Sequence, residues 1–260
     1  MSRTNFKELL DSGVHFGHLK KKWNPGMTPY VFMERNGIHI IDLNKTVSML
    51  DEAAAAMKQI AKSGRSILFV ATKKQAKTIV SEFAQSINMP YITERWPGGL
   101  LTNFATIRKS IKKMDIIDKM SADGTLATLS KRERLQISRT REKLERNLGS
   151  IASMNRMPSA IFIVDINKEH IAVAEAAKLG IPTFAMVDTN SDPNQVSYPI
   201  PSNDDSSKSI SKIMGIVTEA VKEGLADREQ ANAVKAQEKA DKKAAEAKKE
   251  ESKESTEKTK

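Results

Sequence analysis

Ser66-Ile67-Leu68-Phe69-Val70-Ala71 is apolar almost from end to end, as a strand must be when both faces of its sheet are covered. Ala160-Ile161-Phe162-Ile163-Val164 reads the same way. Together they predict a parallel sheet buried between helices, since half-exposed sheets alternate apolar and polar residues. Working outward, apolar runs of strand length recur at 38–41, 91–93 and 183–187, separated by segments of helical period at 44–63, 74–86, 168–179 and 206–223. The third helix stops at Gly180 before Pro182, the expected helix ending. Asn36-Gly37 between 31–33 and 38–41 is the favoured two-residue hairpin turn, so a β-hairpin should precede the first crossover. The expected fold class is α/β: a Rossmann-like, doubly wound sheet of five strands, at 38–41, 66–71, 91–93, 160–164 and 183–187.

One connection is too long for this scheme. Between the runs at 91 and 160 lie two helical patterns joined by Ser121-Ala122-Asp123-Gly124. The first carries a seam of Phe104, Ile107, Ile111 and Met114, the spacing of a single helix–helix contact. The second opens on Ser130-Lys131-Arg132-Glu133, continues through Leu135, Leu144 and Leu148, and stops at Gly149; its start is a capping box. Each helix should have about nineteen residues and a length of roughly 28 Å. The division expected is therefore an α/β body at 1–103 and 150–225, an inserted antiparallel α-hairpin at 104–149, and a tail at 226–260. The tail is nearly all Ala, Glu, Lys, Asp and Gln, with Val234 its one large aliphatic residue, a composition expected to be disordered.

The chain has 260 residues, 39% of them apolar, enough to bury a core. Its 42 Lys and Arg against 32 Asp and Glu give a net charge of +10, which favours a polyanionic partner such as nucleic acid or an anionic membrane. The tail holds ten basic and nine acidic residues, so the excess resides in 1–225. Cysteine is absent, which excludes disulfides, thiolate zinc sites and cysteine nucleophiles. The N-terminal MSRTNFKELLDSG alternates as a short amphipathic helix does, with no apolar run long enough for a secretory signal or a membrane span, and a cytosolic location is expected.

Basic residues concentrate on the hairpin, where twelve Lys and Arg face six Asp and Glu between 108 and 146. A solvated face laced with salt bridges is the ordinary reading of such a helix pair. Here Arg108, Lys109, Lys112, Lys113, Lys131, Arg132, Arg139 and Arg141 are expected to stand without acid partners and to contact RNA phosphates. A second cluster, Lys20-Lys21-Lys22-Trp23, lies near Phe16, Tyr30, Phe32 and Arg35 and mixes cations with aromatics as RNA sites do; Phe16, Tyr30 and Phe32 themselves read as core. Lys73 and Lys74 follow the strand at 66–71 at a helix N-terminus, where phosphate is attracted, on the sheet edge where open α/β folds bind ligands.

Enzyme signatures are missing from that edge. The turn Ala71-Thr72-Lys73-Lys74-Gln75-Ala76 has no glycine, and Pro97-Gly98-Gly99 is not followed by Lys-Ser or Lys-Thr, so neither the dinucleotide fingerprint nor the P-loop is present. No G-x-S-x-G or H-E-x-x-H pattern occurs either. No cofactor is expected. His15 and His18 could ligate a metal, but without cysteine or an adjacent carboxylate pair, packing or RNA contact is the stronger expectation. Asp188, Asp192, Asp204 and Asp205 could hold a hard cation such as magnesium, helix capping being the ordinary role of Asp204-Asp205-Ser206 ahead of a helix.

Three stretches carry a resemblance: LLDSGVHFGHLKKKWNPGM with PYVFMERNGIHIIDLNKT, ERWPGGLLTNF at 94–104, and PSAIFIVDINKEHIAVAEAAKLGIP at 158–182. In this order they resemble the family of bacterial small-subunit ribosomal protein two over residues 3–225. The resemblance implies a flavodoxin-like body with a coiled-coil hairpin, lying between head and body of the small subunit and touching ribosomal RNA with both parts. It implies no enzymatic activity. It further implies neighbouring small-subunit proteins as partners, among them the multi-OB protein that captures messenger RNA, which it helps dock. Lys20 to Trp23 and the loop with Arg95 would be body surface near RNA or protein. Pro97 stands where the family more often has leucine; a proline there fixes φ and removes a donor, which leaves the loop's hydrogen bonding open. The competing reading is an enzyme or binding domain for a phosphorylated metabolite, using Lys73, Lys74 and the Gly98-Gly99 amides. A membrane-surface protein would need a strongly amphipathic helix, absent outside the short N-terminus.

Overall fold

The computed structural model describes residues 3–257, with side chains left out at 127 and from 234 onward. In chain order it forms α1 (Phe6–Asp11), β1 (Phe16–Leu19), β2 (Val31–Arg35), β3 (Ile38–Ile41), α2 (Leu43–Lys62), β4 (Ile67–Val70), α3 (Lys74–Ser86) and β5 (Tyr91–Ile92). There follow α4 (Phe104–Ala122), α5 (Lys131–Leu148), β6 (Ala160–Val164), α6 (His170–Leu179), β7 (Thr183–Val187), β8 (Tyr198–Pro201) and α7 (Ser207–Glu257). Local sequence explains the boundaries. Asp42 caps α2 through Asn44 N, Ser130 and Glu133 form the capping box of α5, and Gly180 closes α6 at φ +65. Asn36 and Gly37 both have positive φ, the conformation a type I′ hairpin turn demands.

The main sheet is parallel throughout, in the order β5-β4-β6-β7-β8. Renumbered within the sheet this is 2-1-3-4-5, the flavodoxin-like order. Two strand expectations need correcting. The run at 38–41 does not enter this sheet; it is the middle strand of a separate antiparallel sheet, β1-β3-β2. The fifth strand is β8, whose Tyr198-Pro199-Ile200-Pro201 was obscured by its prolines. Proline is tolerated there because β8 is an edge strand, paired with β7 alone.

Alternate residues of each strand serve two cores. Ile67, Phe69, Phe162, Phe184 and Met186 pack with α2, α3 and α7. Leu68, Val70, Ile161, Ile163 and Val187 pack with α6 and the loops around Trp96 and Ile151. The hairpin lies in the crossover from β5 to β6, and its base contributes Ile111 and Leu148 to the second core. These residues occupy the place of the crossover helix, which anchors an otherwise projecting pair of helices. Helix α7 continues past Ala226, so the compositional change there coincides with no element boundary; Asp227 still reaches Lys58 and Lys62 of α2. Among the described residues no helix is long and apolar enough to cross a membrane.

Candidate nucleic-acid interface

In this strand order the ligand crevice of an open α/β sheet lies at the carboxyl ends of β4 and β6. Here it is filled by the protein's own acids. Lys73 Nζ lies 2.7 Å from Asp204 Oδ1, 2.6 Å from Asp205 Oδ1 and 3.5 Å from Asp165 Oδ2. Burial alone would lower the lysine pKa, but these carboxylates outweigh it and hold it above the ordinary value. Burial also pushes Asp204 up to about 7, with Asp188 and Asp165 adding to the shift and Lys73 opposing it. Thr72 N donates to Glu169 Oε1 at 3.0 Å. Burial keeps Glu169 above the usual carboxylate range despite that bond. Asp165 itself sits at φ +69, a conformation an aspartate sustains by local bonding, here to Lys168 N at 3.2 Å.

The small sheet closes this crevice. His18 of β1 contacts Asp188 Oδ2 through Nδ1 at 3.0 Å and Asp205 Oδ2 through Nε2 at 3.3 Å. The bond to Asp188 raises the imidazole pKa against the opposing effect of burial. His18, Asp188 and Asp204 each bring a ligand atom within 4.8 Å of the others, and Asp204 Oδ2 is buried with no hydrogen-bond partner. One imidazole and two carboxylates form a donor set that accepts a divalent cation. His15 is not in this group. Nor does either Asp204 or Asp205 accept from an amide of α7: Asn203 Oδ1 closes the turn ahead of that helix, accepting from Asp205 N and Ser206 N, while Asp192 accepts from Asn194 N. Gly17 allows the approach, since a Cβ there would lie 2.6 Å from Thr189 Cγ2 and 3.0 Å from the His39 carbonyl. Gly17→Ala is expected to lose about 1–3 kcal/mol in urea unfolding, the cost of overpacking; a loss below about 0.5 kcal/mol would show that the sheet rides loosely on the body.

The loop at 94–103 is organised by a residue the sequence reading passed over. Glu175 of α6 accepts from Trp96 Nε1, Gly99 N, Leu101 N, Thr102 N and Thr102 Oγ1 at 2.8–3.3 Å. Burial raises its pKa, but these donors together pull it below the usual carboxylate range. The question posed by Pro97 is thereby answered: the amides around it converge on one carboxylate, and its own carbonyl accepts from Leu100 N at 3.1 Å. A carboxylate on the same helix face as Ala172, Val173 and Ala176 was the available signal.

The proposed RNA-contact residues separate into two groups. Lys73 is enclosed by acids, Arg108 Nη1 donates to the Met154 carbonyl at 3.1 Å, and Lys20 pairs with Glu34 at 2.7 Å. The expectation that Arg141 is unpaired is corrected: it binds Asp118 across the hairpin and Glu145 one turn on, the latter a helical i,i+4 pair. Lys21, Lys22, Lys74, Arg95, Lys109, Lys112, Lys113, Lys131, Arg132 and Arg139 are exposed, and none of their side chains has an ion-pair or hydrogen-bond partner among the described residues. Trp23 is 36% exposed and lies 5.4 Å from the His39 ring. Phe16 and Phe32, expected in the core, are 49% and 71% exposed. They belong to β1 and β2, whose sheet covers the body with one face only.

Comparison with known proteins agrees with this architecture. Residues 9–224 match the family described as Ribosomal protein S2. A protein of Flavobacterium johnsoniae named small ribosomal subunit protein uS2 is 64% identical over 239 residues, covering 92% of this chain and 94% of the relative. Proteins of the same name from Parabacteroides distasonis and Bacteroides thetaiotaomicron are each 65% identical over 228 residues, covering 88% of this chain and 82% of the relative.

Proposed function

The chain belongs to the ribosomal protein S2 family, and from that premise we propose that it is a structural constituent of the bacterial small ribosomal subunit, bound to ribosomal RNA in the cytoplasm and catalysing no reaction. The observation that carries this reading is the distribution of charge. The crevice that would receive an anionic ligand is occupied by Asp165, Asp204, Asp205 and Glu169, whereas unpaired cations stand on the hairpin. The competing metabolite reading used Lys73, Lys74 and the Gly98-Gly99 amides, and of its two lysines only Lys74 stands exposed without a partner among the described residues. Lys73 is neutralised, and Gly99 N already donates to Glu175.

In this reading the body at 1–103 and 150–225 and the hairpin at 104–149 are separate contact surfaces, and the tail from 226 has no assigned role. Lys21, Lys22, Trp23, Lys74 and Arg95 form the body's RNA surface. The multi-OB neighbour is a protein partner, for which apolar surface is the appropriate contact. Support comes from exposed Phe6, Leu10, Phe32 and Met33 around a cavity of about 340 Å³, a patch of the type protein partners cover.

Salt dependence tests the hairpin's part. Each phosphate neutralised contributes roughly −0.7 to −0.9 to the slope of log K against log salt. Replacing Lys112, Lys113, Arg132 and Arg139 with Ala is expected to flatten the slope for small-subunit ribosomal RNA by about 3, with the unfolding midpoint unchanged. An unchanged slope refutes the hairpin's role. A chain that never sediments with the small subunit refutes the function.

A further inference from the structure

The seam of the hairpin is formed by Ile107, Ile111, Met114 and Ile117 of α4 against Ile137, Arg141, Leu144 and Leu148 of α5, all buried or half-buried. Arg141 Nε donates to Asp118 Oδ1 across it at 2.6 Å. With 3.6 residues per turn, Lys109, Lys112 and Lys113 fall on the opposite side of α4 from its seam. By the same geometry Arg132, Arg139, Lys143 and Arg146 fall on the opposite side of α5. All seven are exposed, with no side-chain partner among the described residues.

Four of the six acids between 108 and 146 have partners: Glu133 closes the capping box, Glu142 accepts from Ser138, and Asp118 and Glu145 hold Arg141. The other two, Asp115 and Asp123, are exposed and form an ion pair with none of the seven cations. The hairpin's excess charge therefore lies on two outer faces that point away from each other. Helices about 10 Å across, packed 8–10 Å apart, place those faces roughly 20 Å from one another. A strand of phosphates lying along one face does not reach the other. Each face carries a single large exposed apolar side chain, Ile116 or Leu135, too little for a protein-type apolar patch.

We infer that the hairpin is a two-sided spacer: its α4 face and its α5 face take phosphates of two separate RNA segments and hold them apart. This rests on the RNA-binding reading above. It assigns Lys143 and Arg146 a role alongside the cations already named, and it leaves Arg141 as a strut within the seam.

The absence of cysteine permits a direct test. Lys112→Cys and Arg139→Cys, each the only cysteine of the full-length chain, carry a short-arm photoactivatable crosslinker on one face apiece. Assembled into small subunits, the two variants are expected to crosslink to two non-overlapping segments of ribosomal RNA. Crosslinks from both to the same segment, or from one variant alone, overturn the two-sided arrangement. Crosslinks from neither, in subunits that contain the chain, overturn it together with the hairpin's contact with RNA. Failure of the unmodified chain to enter subunits sinks the underlying reading instead. As an independent readout, K109Q/K112Q/K113Q and R132Q/R139Q/K143Q/R146Q are each expected to flatten the salt slope, by about 2 and about 3, and to do so additively; an effect confined to one set also overturns the proposal.

Discussion

Glu175→Ala is expected to cost about 3–5 kcal/mol of stability, measured by urea unfolding at pH 7, which is at the extreme of single substitutions. Five donors converge on this carboxylate, three of them backbone amides of Gly99, Leu101 and Thr102. Removing the acceptor leaves the buried donors of Trp96 and Leu101 unpaired, each worth about 1–3 kcal/mol, and strips the part-buried Gly99 and Thr102 donors of theirs. Glu175→Gln recovers only part of the loss, because its amide NH2 turns a donor toward donors. The pH dependence has a definite sign. The donors hold the folded-state pKa below the usual carboxylate value, so the contribution is fully present above about pH 4.3 and disappears as pH falls through the lowered value. The gap between wild type and Glu175→Gln should therefore narrow in acid. A gap that is flat from pH 7 to the acid limit, or a Glu175→Ala loss under about 1 kcal/mol, contradicts this account. Because the loop leads into α4, the same substitution should also loosen the hairpin's base, seen as faster amide exchange at Ile111 and Leu148.

Lys73→Met is the second large effect, expected to lose about 3–5 kcal/mol, as when one partner is removed from a buried ion cluster. Its side chain is 13% exposed and its partners Asp165 and Asp204 are 10% and 0% exposed. Without the ammonium these carboxylates repel one another in a poorly solvated place. Adding Asp204→Asn should restore part of the stability, and the two changes should be non-additive because they share one network. The salt slope for ribosomal RNA should remain that of the wild type, since an enclosed lysine offers no charge to phosphate. A stable Lys73→Met variant with a flattened slope would reverse both assignments and return Lys73 to the RNA surface.

Lys73 and Lys74 show where sequence reasoning reaches its limit. Adjacent in the chain and identical in type, they differ in that one is surrounded by acids from the turn after β6 and the loop before α7 while the other is exposed. No local pattern separates them, because the acids arrive from residues 165, 204 and 205. Arg141 was within reach, since Glu145 lies one helical turn away; Asp118, on the other helix, was not. The exposure of Phe16 and Phe32 likewise depends on which face of a small sheet is covered, and composition carries no record of that.

By itself the sequence determined the α/β class, the capping box at Ser130, the helix stop at Gly180, the type I′ turn at Asn36-Gly37, the inserted basic hairpin and the family, because each depends on neighbours within a turn or a strand, or on motifs preserved whole. Tertiary structure alone decided which strands share the main sheet, that a proline-bearing edge strand completes it, that its anion crevice became a nest of carboxylates around Lys73, and that the hairpin's free cations divide between two opposed faces. Those outcomes are set by groups that meet from 23 residues apart, as Arg141 and Asp118 do, to 131 apart, as Lys73 and Asp204 do, where burial and charge pairing are properties of the packed whole.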